Sequence, residues 1–444
     1  MSPPGLLTRS ARSLQANTAL IRAFRQSPTA FLDALTANGA RTTPLRMGPE
    51  RVLLLDDPAQ VWDLLTTHAR RTGKGRGMVR AKLLLGEGLL TSEGDRHRRH
   101  RRSLQPAFRP GRIAGYEAHF ARAAQRSTRG WMDGGAVDLV AELSTMTLDG
   151  AGSALFGADL RESAPGITRA LTDLLGGFRL AMAPGGPLLL RSPLAVATRV
   201  RAAQAELDRV VDDLLRGRWA GTGSPAPVLE LAAPPDFTDE EVRAEVMTLL
   251  LAGHETTAMA LVWALAAIDQ APDFRAELEE EWDAARGTAS ADALPRTRAL
   301  LAETLRLWPS SWMFSRRVHE PIVLDGRPVP AGTMCLVSPL LLHRDTRWWA
   351  EPERFRPDRW LQRDPGSRDR FDPKRPGPPR GAYLPFGAGP RMCIGEQFAW
   401  SEGAMMLAEL GRNWRVHVHG TPQPGPSSMT LRPGAAVRAT TARR

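Results

Sequence analysis

Apolar residues recur along this chain mostly with a helical period, and strand-like stretches are few and short. From Asp95 to about Arg216 they return every three to four positions, with breaks at 130–135, 157 and 183–193. That pattern predicts a succession of amphipathic helices. A second helical block runs from Thr238 to Leu307. It opens on Thr238-Asp-Glu-Glu241, a capping box in which hydroxyl and carboxylate satisfy the first free N–H groups. Its first helix is predicted to reach about Asp269, before Pro272, a span of roughly 45 Å at 1.5 Å per residue. Strands are expected at 51–56, paired with 44–47, and near 322–324 and 333–338, while Asp57 should cap a helix over 58–67. Residues 13–37 read as an amphipathic surface helix, and 72–94, 221–237 and 350–381 as irregular, Gly- or Pro-rich segments. A helix over 395–412 and a strand-rich tail complete the chain. Strands and helices do not alternate, which argues against a doubly wound parallel sheet. The expected fold is mainly α with a small β region, one domain over 1–444 with residues 1–40 peripheral.

Composition narrows the class. Hydrophobic content of 42% is ordinary for a globular chain. Two cysteines make no disulfide framework and suit a reducing cytoplasm. The net charge is +11, and of 59 basic residues only Lys74, Lys82 and Lys374 are lysine, leaving 56 arginines. This is the usage of a GC-rich, bacterial genome, and a basic surface attracts acidic redox partners or anionic lipid. The segment 1–31 has scattered Arg and no acidic residue, a faint likeness to a transit peptide, and no apolar run long enough for an anchor. The apolar run 246–268 is long enough to span a membrane. It would put His254 and Glu255 near the bilayer centre, where an acidic group costs about 2.5–3.5 kcal/mol, so a buried core helix is the better reading. A cytoplasmic protein, at most peripheral to a membrane, is expected.

The chemistry concentrates in Phe386-Gly-Ala-Gly-Pro-Arg-Met-Cys-Ile-Gly395. One cysteine can make neither a disulfide nor a zinc site alone, but it can ligate an iron whose equatorial positions come from a porphyrin. Gly387, Gly389 and Gly395 let the backbone approach a flat macrocycle, Phe386 can cover the thiolate, and Arg391 can reach a propionate. Cys335 reads as a small buried hydrophobe. In the central helix, Ala252 and Gly253 are small enough to admit a ligand. Thr256 can bond back to the Ala252 carbonyl and open a groove. Glu255 and Thr256 pair an acid with an alcohol, which can deliver protons to bound oxygen, whereas His254 reads as structural. His97 and Arg101 share a helix face in the basic run 95–102. That run also fits a nucleic-acid patch, against which Gln105-Pro-Ala-Phe108 follows it. Glu303 and Arg306 are spaced i, i+3 on an apolar helix.

Phe386-x-x-Gly389-x-Arg391-x-Cys393-x-Gly395 resembles the haem-binding loop of the cytochrome P-450 monooxygenases, and residues 252–257 are similar to that family's oxygen-activating motif. The matches run in order from Asp95 to Gly395, with Thr333 and Trp360 among them. The resemblance implies a triangular, mainly helical prism around haem b, with Cys393 as axial ligand and Phe386 and Gly395 in its loop. It implies propionate contacts from His97 (where the family usually has Trp), Arg101, Arg391 and Arg316, with Arg317 the adjacent alternative. It implies a buried triad of Glu303, Arg306 and Arg354, and oxygen chemistry at Ala252, Gly253, Glu255 and Thr256. The implied activity inserts one atom of O₂ into a C–H bond of a large hydrophobic molecule. Terpenoids or carotenoids are favoured, from a weak likeness of 305–317 to carotenoid-ring hydroxylases; fatty acids and polyketides are alternatives. Apolar clusters at 83–85 and 188–190 suit lids over such a pocket. Electrons are expected from a separate donor, a ferredoxin with its reductase, and no nucleic-acid partner is expected. Two rivals stand beside this reading: an H₂O₂-driven peroxygenase, a type that generally lacks the acid–alcohol pair, and a haem carrier or gas sensor that needs no proton relay.

Overall fold

One long helix organises the molecule. The computed structural model describes residues 27–36, 42–47, 50–182, 185–217, 226–232, 237–287, 290–363, 369–373, 377–426 and 429–444. The central helix, Asp239–Asp269, has 31 residues. Its capping box is formed: the Glu241 amide donates to Thr238 Oγ1 at 3.2 Å and the Thr238 amide to Glu241 Oε2 at 3.1 Å. Helices Leu139–Phe156, Ala195–Leu215, Pro295–Leu307 and Glu396–Asn413 pack around it. A helix that is apolar all round belongs inside a large fold, and this one is enclosed by protein. Among the described residues it is also the one helix long and apolar enough to cross a membrane.

The β component is small. Five strands pair in the order Thr42–Met47, Glu50–Leu55, Met334–Val337, Phe314–Val318, Thr72–Lys74, with one parallel pair between Glu50–Leu55 and Met334–Val337. A second sheet joins Trp414–Val418, Arg438–Arg443 and Ala136–Asp138. Asp57 caps Pro58–Leu65 as expected, accepting from the Ala59 and Gln60 amides at 2.9 and 3.2 Å.

Several sequence expectations change. The 72–94 segment is not a loop: Thr72–Lys74 is an edge strand and Arg76–Leu85 a helix. Thr-Gly-Lys has little intrinsic strand preference and is extended because it pairs with Phe314–Val318. That partner strand, Phe-Ser-Arg-Arg-Val, was itself hidden because it lacks apolar alternation. Gly186–Arg191 is helical inside the expected break. Residues 28–36 of the expected surface helix are helical, but Phe31, Leu32 and Leu35 are buried in a cluster with Trp312 and Leu431. The rest of that expectation, apart from Ser27, lies outside the described residues.

Candidate active site

The Cys393 loop is shaped by two glycines in the left-handed region, Gly387 and Gly389, both at φ 72°. A Cβ at Gly389 would also stand 2.0 Å from the Leu65 carbonyl oxygen, so only glycine fits. The turn closes where the Cys393 amide donates to the Phe386 carbonyl at 2.9 Å. Burial raises the Cys393 thiol, while the Gly395 amide and the Arg101 charge favour the thiolate. Cys393 has open surface although protein surrounds it, so that surface faces an internal hollow. Phe386 packs edge-on against Trp400, with ring centroids 5.5 Å apart. Cys335 is fully buried, and burial pushes its thiol up to about 12.

The central helix also opens to a hollow. Between Ala244 and Ile268 every residue is buried except Ala252, Gly253 and Thr256, which share one face. Thr256 Oγ1 donates to the Ala252 carbonyl at 2.8 Å, the back-bond that the sequence suggested. Ser310 Oγ donates to the Thr256 carbonyl at 2.8 Å, tying the chain after Pro295–Leu307 to this turn. Glu255 is not with them. Thr430 Oγ1 donates to Glu255 Oε1 at 2.6 Å, and Arg432 Nε lies 3.3 Å from the same oxygen. Consecutive helical residues diverge by about 100°. The structure therefore brings the hydroxyl, but not the carboxylate, to the open face. His254 bonds the Leu250 carbonyl at 2.9 Å and is buried.

Cationic side chains gather beside the Cys393 loop. Arg101 Nη1 donates to the Met392 carbonyl at 2.7 Å. Arg391 donates to the Ala69 and Thr72 carbonyls at 2.8 and 2.9 Å and pairs with Glu93 at 3.3 Å, and its buried Nε has no partner. Arg316 donates to the Ser315 carbonyl at 3.1 Å and lies over the Phe314 ring; burial, then the Arg391 charge, lowers it to about 10. Side chains alternate along a strand, and Arg317 turns to Glu50 at 3.5 Å, which favours Arg316 as the inward residue. The buried His97 ring makes no hydrogen bond among the described residues. Burial, then Lys74, Arg391 and Arg101, push it down to about 3. Lys74 was not foreseen. Its one signal was that it is among three lysines in an arginine-dominated chain.

The buried triad forms with one substitution of membership. Glu303 and Arg306 are fully buried and paired, Nε to Oε2 at 2.9 Å and Nη2 to Oε1 at 2.8 Å. The third guanidinium is that of Arg359, 5% exposed and 3.1 Å from Glu303 Oε1. Arg354 is not a member: its side chain is 69% exposed and pairs with Glu351, and only its carbonyl accepts from Arg306. Arg354 has a carboxylate three residues back, whereas the short helix Pro357–Trp360 turns Arg359 inward. The Trp360 indole N–H and the Arg356 amide also donate to Glu303, each at 2.9 Å.

The family model described as cytochrome P-450 matches residues 17–438. This chain belongs to the cytochrome P-450 family. The cyclooctatin synthase of Streptomyces melanosporofaciens is 35% identical over 407 residues, covering 88% of this chain and 86% of that protein. The cyclooctat-9-en-7-ol 5-monooxygenase of the same species is 34% identical over 419 residues, covering 91% and 87%. A six-coordinated cytochrome P-450 from Thermus thermophilus superposes with a TM-score of 0.72 at 28% identity, over 91% of this chain and 96% of that one. The expected fold class therefore holds, and the chain is a cytochrome P-450 enzyme, an oxidoreductase of the haem-dependent monooxygenase type. Its residues fit the haem that the family implies: a single thiol opens into a hollow, one helix face of small residues does the same, and among the described residues Arg101 and Arg316 beside the loop make no ion pair.

Proposed function

We propose that this chain is an O₂-dependent monooxygenase using haem b, and that it hydroxylates a C–H bond of a cyclic terpenoid. The carrying observation is the pairing of two features: the enclosed, open-faced Cys393 thiol, and Ala252, Gly253 and Thr256 as the only open positions in 25 residues of buried helix. Cys393 would hold the iron, and His97, Arg101, Arg316 and Arg391 would hold the propionates. Bound haem supplies O₂ cleavage and oxygen insertion, promoted by a thiolate donor.

The remaining roles fall to the chain. The small side chains at Ala252 and Gly253 leave room beside the helix. Thr256, held by its back-bond, keeps a hydroxyl proton at Oγ1 on that face. Glu255, bridging Thr430 and Arg432, links the same turn to a half-buried guanidinium and so toward solvent. For a relay, its carboxylate would exchange that bridge for water on the Thr256 side. The two Streptomyces relatives, one of which is named for oxidising a cyclic alkenol, support a terpenoid substrate. The Arg101 side of Gly94–Leu104 meets the Cys393 loop, and exposed Arg102, Arg109 and Arg112 beside it suit an acidic donor such as a ferredoxin. A cytoplasmic site of action accords with that donor.

The test is the optical spectrum of the reduced, CO-bound protein. Wild type should show the thiolate-type Soret band and Cys393→Ala should lose it; a variant with the unaltered band would end this reading. Titration with cyclic terpenes and carotenoids should then give a spin-state shift for the former.

A further inference from the structure

Lys74 and Arg316 are direct partners in the antiparallel ladder between Thr72–Lys74 and Phe314–Val318. Residues directly opposite point to the same face with Cβ atoms about 5 Å apart, and like charges placed so repel. Here Lys74 is 8% exposed and Arg316 half-buried, and burial, then the Arg391 charge, lowers the Arg316 guanidinium to about 10. Two cations face to face, one buried and one half-buried, call for an anion to answer them. The protein supplies too few. Arg391 adjoins the pair, and Arg101 stands beyond it across His97, which stays neutral. Against these four cations the nearest carboxylate is Glu93, which accepts from the Lys74 amide at 2.6 Å and from Arg391 at 3.3 Å. Glu245 also faces Lys74; its Oε1 meets His100 at 2.5 Å and its buried Oε2 has no partner, which makes two carboxylates near four basic side chains. Among the described residues neither Lys74, Arg101 nor Arg316 makes an ion pair.

The ammonium itself is posed for a ligand. Lys74 Nζ donates to the Leu89 carbonyl at 2.8 Å and the Ser92 carbonyl at 2.7 Å. An ammonium has three donors, so one N–H remains. We propose that Lys74 is a further binding residue for the carboxylate groups of the bound macrocycle, acting with Arg316 across the ladder. The inference rests on the haem-dependent function proposed above. The titration of Lys74 agrees with it. Burial above all, with Arg391 and Arg316, brings the amine from 10.5 to about 7, against Glu93 and Glu245. Arriving carboxylates favour the charged form and draw a proton back onto Nζ.

The experiment uses the haem-loaded enzyme and two substitutions, Lys74→Gln and Lys74→Arg. Resonance Raman bands of propionate bending report hydrogen bonding at the carboxylates, and transfer of haem to excess apomyoglobin reports retention. Lys74→Gln should move the propionate bands and release haem at least about tenfold faster, as befits one lost charge-assisted hydrogen bond. Lys74→Arg should hold haem nearly as wild type does while shifting the same bands, because the donor has changed. If Lys74→Gln does not fold, the band shift in Lys74→Arg decides alone. Unmoved propionate bands would overturn the proposal and leave Lys74 as a clamp on the Leu89 and Ser92 carbonyls. A wild-type protein without the thiolate-type CO band would instead overturn the functional reading beneath it.

Discussion

Glu303 should be among the least replaceable residues of this protein, for a reason that can be worked from its contacts. Five donors converge on its two oxygens: two from Arg306, and one each from Arg359, the Trp360 indole and the Arg356 amide. Glu303→Gln keeps the volume but replaces one acceptor oxygen with a donor and removes the charge. Arg306, with no exposed surface, then holds a buried cation with no anion, against the one remaining amide oxygen and the His343, Pro352 and Arg354 carbonyls. Breaking a buried pair by removing one partner costs about 3–5 kcal/mol, a large part of a typical total of about 5–15 kcal/mol. For a chain of 444 residues the unfolding entropy is about 0.9 kcal/mol/K, so Tm should fall by roughly 3–5 °C. The surface pair Arg354–Glu351 predicts a change within about 0.5 kcal/mol for Arg354→Ala, and Arg359→Met should lie between the two. Urea unfolding followed by far-UV circular dichroism, with the CO-complex Soret band read in parallel, would rank them. Equal losses in Arg354→Ala and Arg359→Met would refute the assignment of Arg359 to the triad.

Two further outcomes are expected. Thr256→Ala should keep the thiolate-type CO band but divert consumed reductant into hydrogen peroxide, with product per reductant falling at least about tenfold, since a positioned proton donor contributes about 10²–10⁴; Thr256→Ser should restore coupling, and an unchanged product yield in Thr256→Ala would exclude a proton role. His343 is buried, its Nε2 accepts from the Leu384 amide at 2.8 Å, and burial followed by the Arg306 charge lowers it from 6.5 to about 3. Between those values the unfolded chain binds a proton that the folded one refuses, so stability should fall as pH drops below 6.5, by up to about 1.4 kcal/mol per pH unit from this group. His343→Gln should flatten that part of the stability profile, and an unaltered slope would show that His343 does not set it.

What the sequence revealed follows how local each determinant is. The Cys393 loop is contiguous: its glycines, its cysteine and its closing amide lie within ten residues, so pattern and conformation coincide. The Thr256 back-bond spans four residues of one helix and was equally plain. Arg354 was expected in the place that Arg359 takes because Arg354, Arg356 and Arg359 stand within six residues, and only the fold decides which faces Glu303. The strand Thr72–Lys74 was invisible because its extension is imposed by a partner more than 240 residues away. Glu255 was legible as a buried acid, but its link to Thr430 and Arg432 depends on how the C-terminal segment returns to the central helix.

Charge pairing separates the two buried electrostatic clusters by role. Around Glu303 two guanidiniums share one carboxylate, but the carboxylate has five donors and the remaining Arg306 and Arg359 donors end on carbonyls inside the protein, so the cluster is hydrogen-bonded throughout. Its function is to hold Pro295–Leu307 against the chain that leads to the Cys393 loop. Around Lys74 and Arg316 the balance is left open: four basic side chains stand near two carboxylates, Glu93 and Glu245, and Arg391 Nε is orphaned. Desolvated charges of one sign repel unless something answers them, and this excess stands directly beside the loop that carries the one thiol with open surface. Both clusters are arginine-rich and mostly buried, so composition alone cannot tell them apart. The unanswered charge is what marks the second as a place for an anionic ligand.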